Sequence, residues 1–148
     1  MTPGTRTRDD SGTVLVLVLG FVAVLLLMVA VVVNVSMVIL AKRALVSAAD
    51  GAAVSAAQSL DLEAVYAGGL SEDGIPLDSG LAAQRVADYE AAAATAQPGL
   101  RLVLSRIDDG NTVVVRGVRE VSLPFGRMLG FQPVRVEAEA QARAPVLP

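Results

Sequence analysis

Two pairs of carboxylates are the first candidates for chemistry in this chain: Asp108-Asp109, and Glu137 with Glu139 two residues on. Such a pair acts as general acid and base only when a cleft drives the two pKa values apart. Neither pair has that setting. Asp108-Asp109 runs into Gly110-Asn111, the composition of a tight turn. Glu137 and Glu139 alternate with Val136 and Ala138 and share their side with Arg135 and Arg143, which makes a solvated charged face. The chain has no Cys and no His. A disulfide framework, a Cys/His zinc site, a Ser–His nucleophile and a histidine base therefore lack their residues. Gly68-Gly69 is not followed by the Lys-Ser/Thr of a phosphate loop. The aromatics are Phe21, Tyr66, Tyr89, Phe125 and Phe131, and the net charge is -3. Stacked bases and a phosphate backbone are both poorly served. The expectation is a protein without catalytic residues, cofactor or metal, and without a nucleic-acid or small-molecule partner.

What the residues supply instead is apolar surface. Of 148 residues, 53% are hydrophobic and only 18% charged, and the mean hydropathy is +0.57. The excess has one address, since no charged residue stands from Thr13 to Ala41. A spanning helix needs about 20 apolar residues to cross about 30 Å of hydrocarbon. The run exceeds that, and it exceeds the roughly 7–15 apolar residues of a cleaved secretory signal. Val14 to Val33 is read as the stretch held in the bilayer. Asn34 then falls at the far headgroup boundary, with Lys42 and Arg43 beyond it in the polar region. Arg6 and Arg8 lie on one side and Lys42-Arg43 on the other, so basic residues alone barely orient the segment. The remainder is net acidic, which favours export of the carboxy-terminal part.

No proline follows until Pro76, and alanine is the best helix former. The helix is therefore expected to continue past the membrane to about Leu60. Val38, Ala41, Leu45, Ala48, Ala52 and Ala56 recur at steps of three and four and form a small-residue packing seam. Arg43, Ser47, Asp50, Gln58 and Asp61 fall mainly on the other side. Small residues let a neighbouring helix or strand approach closely, whether from the same domain or a partner.

These residues carry a resemblance. Gly12-Thr-Val-Leu-Val-Leu-Val-Leu-Gly-Phe21 opens a long apolar helix with Asn34 late in it. Lys42-Arg43 and the run Ala48-Ala-Asp-Gly-Ala-Ala53 follow. This order is similar to the amino-terminal region of TadE/TadG-like Flp (Tad) pilus-assembly proteins, over roughly residues 9–60. The resemblance implies a membrane-anchored, non-enzymatic subunit whose partners are other pilus or secretion subunits and membrane lipid. Asn34 stands where the family often has Asp. Leu17 stands five residues beyond Gly12, where type IV-like prepilins carry Glu. Asp78-Ser79-Gly80 does not make the Asp-x-Ser-x-Ser of a von Willebrand-type domain.

Gly68 to Leu77 reads as a loop, and Asp78 or Ser79 can cap a second helix from about Gly80 to Ala96, stopped by Pro98-Gly99. Leu100–Ile107 and Thr112–Leu123 flank the Asp-Gly turn as a hairpin. Pairing Ile107 with Thr112 puts Leu102, Leu104, Val113 and Val115 on one face. Gly117 within the second strand marks a bulge or a close helix contact. Val134–Arg143 alternates Val/Ala with charge and reads as a third strand. Between them, Phe125, Met128, Leu129 and Phe131 make a possible partner loop.

The expected architecture is α+β, on a pilin-like plan. A long amino-terminal transmembrane helix continues into an extracytoplasmic amphipathic helix, followed by a second helix and a three-stranded antiparallel sheet. The expected divisions are a cytoplasmic leader at 1–12, the membrane helix at 13–41, its extension at 42–67 and a small domain at 68–148. This reads as a single-pass protein of the bacterial cell membrane with a cytoplasmic amino terminus. The leading functional expectation is a minor pilin-like or assembly subunit. The alternative is a solitary membrane-anchored binding module of the cell envelope.

Overall fold

The computed structural model describes residues 11–59, 77–126 and 130–144. The leader, Asp61, the loop before Leu77, and Met128 and Leu129 lie outside the described residues. The architecture is α+β, as expected: α1 (Ser11–Ala56), α2 (Ser79–Ala93), β1 (Arg101–Asp108), β2 (Thr112–Val121) and β3 (Val134–Arg143). The strands form one antiparallel meander in the order β1-β2-β3.

Helix α1 has 46 residues, about 70 Å at 1.5 Å per residue. Its Val-rich stretch would be a mediocre helix in water, but in lipid only a helix or closed barrel satisfies the backbone internally. Ser36, a polar interruption, donates its hydroxyl to the Val32 carbonyl at 2.8 Å and stays satisfied within the helix. The helix ends before the expected Leu60. Ser59 folds back, its N–H donating to the Ala56 carbonyl at 3.0 Å and its hydroxyl to the same oxygen. Asp78 N–H then donates to the Ser59 carbonyl at 3.1 Å, and Leu77 N–H to that of Gly110 at 3.0 Å. The stop is thus fixed by the chain that returns across it, not by a Gly or Pro.

Asp78 caps α2, its carboxylate accepting from Gly80 N–H at 2.8 Å and Leu81 N–H at 3.0 Å. After α2, Gly99 takes φ +78° and turns the chain into β1.

The hairpin register is partly as expected. Leu102 faces Gly117 and Leu104 faces Val115, but Asp108, not Ile107, pairs with Thr112. A bulge between Leu104 and Arg106 shifts the pairing by one. The turn demands this: Asp109 and Gly110 both have positive φ (53° and 69°), and Asn111 N–H donates to the Asp108 carbonyl at 3.2 Å. The turn therefore closes on Asp108. The extra residue also turns Ile107 to the core side, where it pairs with Val113 and packs against the core.

Strand β3 follows its alternation, with Val136 and Ala140 buried and Arg135, Glu137, Glu139, Gln141 and Arg143 exposed. The inward face of the sheet packs on the carboxy-terminal half of α1. Gly117 permits that approach, for a Cβ there would stand 2.9 Å from Leu45 Cδ1 and 3.2 Å from Leu102 Cδ2. Of the two expectations for Gly117, the close helix contact is the one realised.

Candidate functional site

The carboxylates singled out for chemistry are tied up in surface ion pairs or turn geometry. Asp108 accepts from Arg106 at 2.9 Å, Glu139 meets the same guanidinium at 3.4 Å, and Glu137 meets Arg135 at 3.0 Å. The hydrogen bond and charge of Asp108, with a smaller contribution from Glu139, raise the Arg106 pKa above its ordinary value. Asp109 serves the turn through its positive φ. Among the described residues, no three Asp or Glu side chains converge as metal ligands would. Under this charged surface, Val114 is fully buried on the outer side of β2, opposite Arg106 and Gln141. The stems of those long side chains can shield it.

The small-residue seam is brought together, and its partner is the chain itself. Ala41, Leu45, Ala48, Ala52 and Ala56 are buried and Val38 is half-buried, all within one core with the sheet and α2. The seam is wider than the three-four spacing suggested. Ala49, Ala53 and Ala57 are equally buried, which gives α1 a second covered stripe. Tyr89 of α2 lies over Gly51, on the other flank of the seam, where an added Cβ would overlap its hydroxyl. The doublets Ala48-Ala49, Ala52-Ala53 and Ala56-Ala57 were the available signal in the sequence. Arg43, Ser47, Asp50 and Gln58 are exposed, as the opposite side should be.

Two further residues carry more than their types suggested. Glu90 of α2 accepts the outward N–H of Leu102 at 2.7 Å and pairs with Arg101 at 3.1 Å. It thereby occupies a backbone donor that another strand would use to extend the sheet at β1. Arg119 points inward from β2, half-buried, and flanks a groove with Leu40, Ala41 and Ala44.

The sheet runs along α1, so its two ends differ in level. The β1–β2 turn lies beside Ser59, whereas the β2–β3 connection lies beside Asn34. From Gly12 to Val33 every residue but Ala30 is exposed, and the helix is long and apolar enough to cross a membrane. Asn34 is buried, and its Oδ1 accepts from the Phe125 N–H at 3.3 Å. This contact docks the connection on α1 where the bare stretch ends. Phe125 and Phe131 are exposed, Phe131 at 57%. Between Leu123, Phe131 and Val134 on one side and α1 on the other lies a groove of about 370 Å³, its helix wall made by Val31, Asn34, Val35, Val38 and Ile39. Lys42 and Arg43 are exposed about two turns further along.

The geometry is therefore that of a helix with two unlike halves: a bare apolar rod, then a spine buried under its own small domain. No curated protein and no solved structure matches the chain. A family model described as putative Flp pilus-assembly TadE/G-like matches residues 12–59, which begins one residue after the start of α1 and ends at the Ser59 turn. The match falls within the stretch over which Asn34, Lys42-Arg43 and Ala48-Ala49-Asp50 carry the resemblance, so residues 12–59 are similar to TadE/G-like Flp pilus-assembly proteins.

Proposed function

We propose that this chain is a non-enzymatic, membrane-anchored, minor pilin-like or assembly subunit of a Tad/Flp pilus or a related secretion system. The observation that carries the reading is the coincidence of the family segment, residues 12–59, with one helix whose first half is bare and apolar. In this reading Val14–Val33 crosses the bilayer once, the amino terminus is cytoplasmic, and residues from Lys42 onward are extracytoplasmic.

The division of α1 refines how such a subunit would make contacts. The Ala41–Ala56 seam is occupied by the subunit's own sheet and α2. Contacts with other machinery subunits then fall to surfaces still open: the lipid-level half of α1, and the outer side carrying Val46, Ser47 and Val54. In lipid, helices associate by close packing and not by a hydrophobic drive, so Gly20 and Ala23 suit a crossing point.

A photo-crosslinking residue in place of Leu26 or Val54, both exposed, tests this in cells that make the whole machinery. The expected result is adducts that contain other pilus or secretion subunits and vanish when the machinery genes are deleted. Adducts that persist unchanged without those genes would instead favour a solitary envelope-binding module.

A further inference from the structure

Strand β2 outruns its neighbour at the end of the sheet nearest Asn34, and what it leaves uncovered is a pair of donors. Leu102 gives its N–H to Glu90, away from β2, so Gly117 opposite it faces β3 and Val118 faces β1. Two residues on, the Glu120 N–H faces the same way as that of Val118. No strand lies beside it there, because β1 begins with Arg101 opposite Val118 and the preceding chain has turned aside at Gly99. The Glu120 carboxylate lies on the outer face of the sheet, on the side of Arg135.

Arg119 points to the opposite face, toward α1. Among the described residues no carboxylate stands within ion-pair reach of it. Its Nε is buried without an acceptor, whereas its two Nη atoms are not enclosed. They open on a groove of about 530 Å³ that Arg119 lines together with Glu120 and Ser122. The facing wall belongs to α1 and includes Met37 and Leu40, both exposed. A free guanidinium beside a free backbone donor calls for an anion, and its planar fork matches the oxygens of a phosphate. The apolar wall calls for an anion joined to an apolar body.

The level of the groove names the source of that phosphate. This step rests on the reading that α1 spans the bilayer. Beyond Val33 the headgroup layer adds about 5–7 Å, roughly four or five residues of helix. Met37 stands within that layer and Leu40 less than one turn above it, a distance that the long arm of Arg119 can lower its charge across. Val33, Met37 and Leu40 follow one exposed flank of α1 at steps of four and three, so the groove opens downward onto the stretch that lipid already bathes.

We propose that this groove seats the phosphate of a bilayer phospholipid, to which the Arg119 guanidinium and the Glu120 N–H both donate. The chains of that lipid pass down over Leu40 and Met37, and the bound headgroup ties the small domain to the membrane surface.

Amide hydrogen exchange reads the Glu120 donor directly. The full-length protein is reconstituted into vesicles of digalactosyldiacylglycerol, which carries no phosphate, and phosphatidylcholine is then added in steps, supplying phosphate without net charge. Exchange across residues 119–122 should slow as phosphatidylcholine rises, while the core amides of Val113–Val115 stay protected throughout. Arg119→Gln should raise the phosphatidylcholine fraction needed for half protection by about tenfold or more, the range for a hydrogen bond to a charged group. Arg116→Gln, an equal loss of charge on the exposed outer face of the same strand, should titrate as the wild type does. If Arg119→Gln loses protection at Val113–Val115, Arg119→Lys takes its place; it keeps the charge without the fork and should need several-fold more lipid. Unchanged exchange at 119–122 in the wild type, with residues 14–33 protected, would overturn the phosphate site and leave the anchor intact. Equal protection from inorganic phosphate in the galactolipid vesicles would overturn the lipid as its source. A wild-type titration by the Arg119 variant would overturn the role of Arg119. Fast exchange across residues 14–33 would instead overturn the anchor reading itself.

Discussion

Ala52→Arg is expected to unfold the small domain while leaving the protein in the membrane. Ala52 is fully buried in the core shared by α1, the sheet and α2. A guanidinium there has no room and no partner. Burying an unpaired charge is among the few single changes that cost about 4–5 kcal/mol, against a total stability of roughly 5–15 kcal/mol for a typical domain. The bare stretch from Gly12 to Val33 is untouched, so fractionation with membranes should not change. Ser47→Arg is the control, because Ser47 is exposed on the opposite side of the same helix, and its effect should stay within about 0.5 kcal/mol. Thermal melting and limited proteolysis in detergent separate the two variants. Wild-type melting of Ala52→Arg would mean that this face of α1 packs against nothing in its own chain.

Leu45→Ala comes next, with an expected loss of about 3 kcal/mol. Among the buried residues that α1 adds to the core, Leu45 is the one large side chain in a row of alanines, and it is fully buried. It lies over Gly117, whose missing side chain makes the space. Gly117→Val should cost about 1–3 kcal/mol through overpacking, since Leu45 and Leu102 close the site. The two changes are complementary in volume. The double variant should therefore be less destabilised than the sum of the singles by about 1 kcal/mol, well outside the scatter of independent sites. Denaturant unfolding of the four proteins measures this coupling. Strict additivity would show that Leu45 and Gly117 do not share a contact.

The elements were legible where a local pattern determines them. Strand β3 alternates over its whole length, Asp78 offers a cap that α2 uses, and Asp109-Gly110 supplies the two positive-φ residues of the hairpin. The apolar run and the alanine seam were equally plain. What escaped was set by residues distant in sequence. The Ser59 turn that ends α1 is met by Asp78, whose N–H donates to the Ser59 carbonyl, so no helix-stop residue announces it. The bulge near Ser105 arises from closing the turn on Asp108, a one-residue difference that alternation alone does not resolve. The seam spacing identified a packing face but not what covers it, because small residues suit a sheet of the same chain as well as a partner's helix. Asn34 was read as a boundary marker. Its burial depends on Phe125, ninety-one residues away in the chain.

The central claim is that α1 has a lipid half and a domain-covered half, with the domain outside the cytoplasm. The chain has no Cys, so single cysteines give an unambiguous map. Leu26 and Val54 are both exposed, at 65% and 54%, and differ in the medium expected around them. The most direct measurement is labelling of Leu26→Cys and Val54→Cys in intact cells with a membrane-impermeant maleimide. Val54→Cys should label in intact cells, whereas Leu26→Cys should label only after denaturation strips the lipid, because the reactive thiolate does not form in hydrocarbon. Labelling of Leu26→Cys in intact cells, or of Val54→Cys only after lysis, would contradict the account.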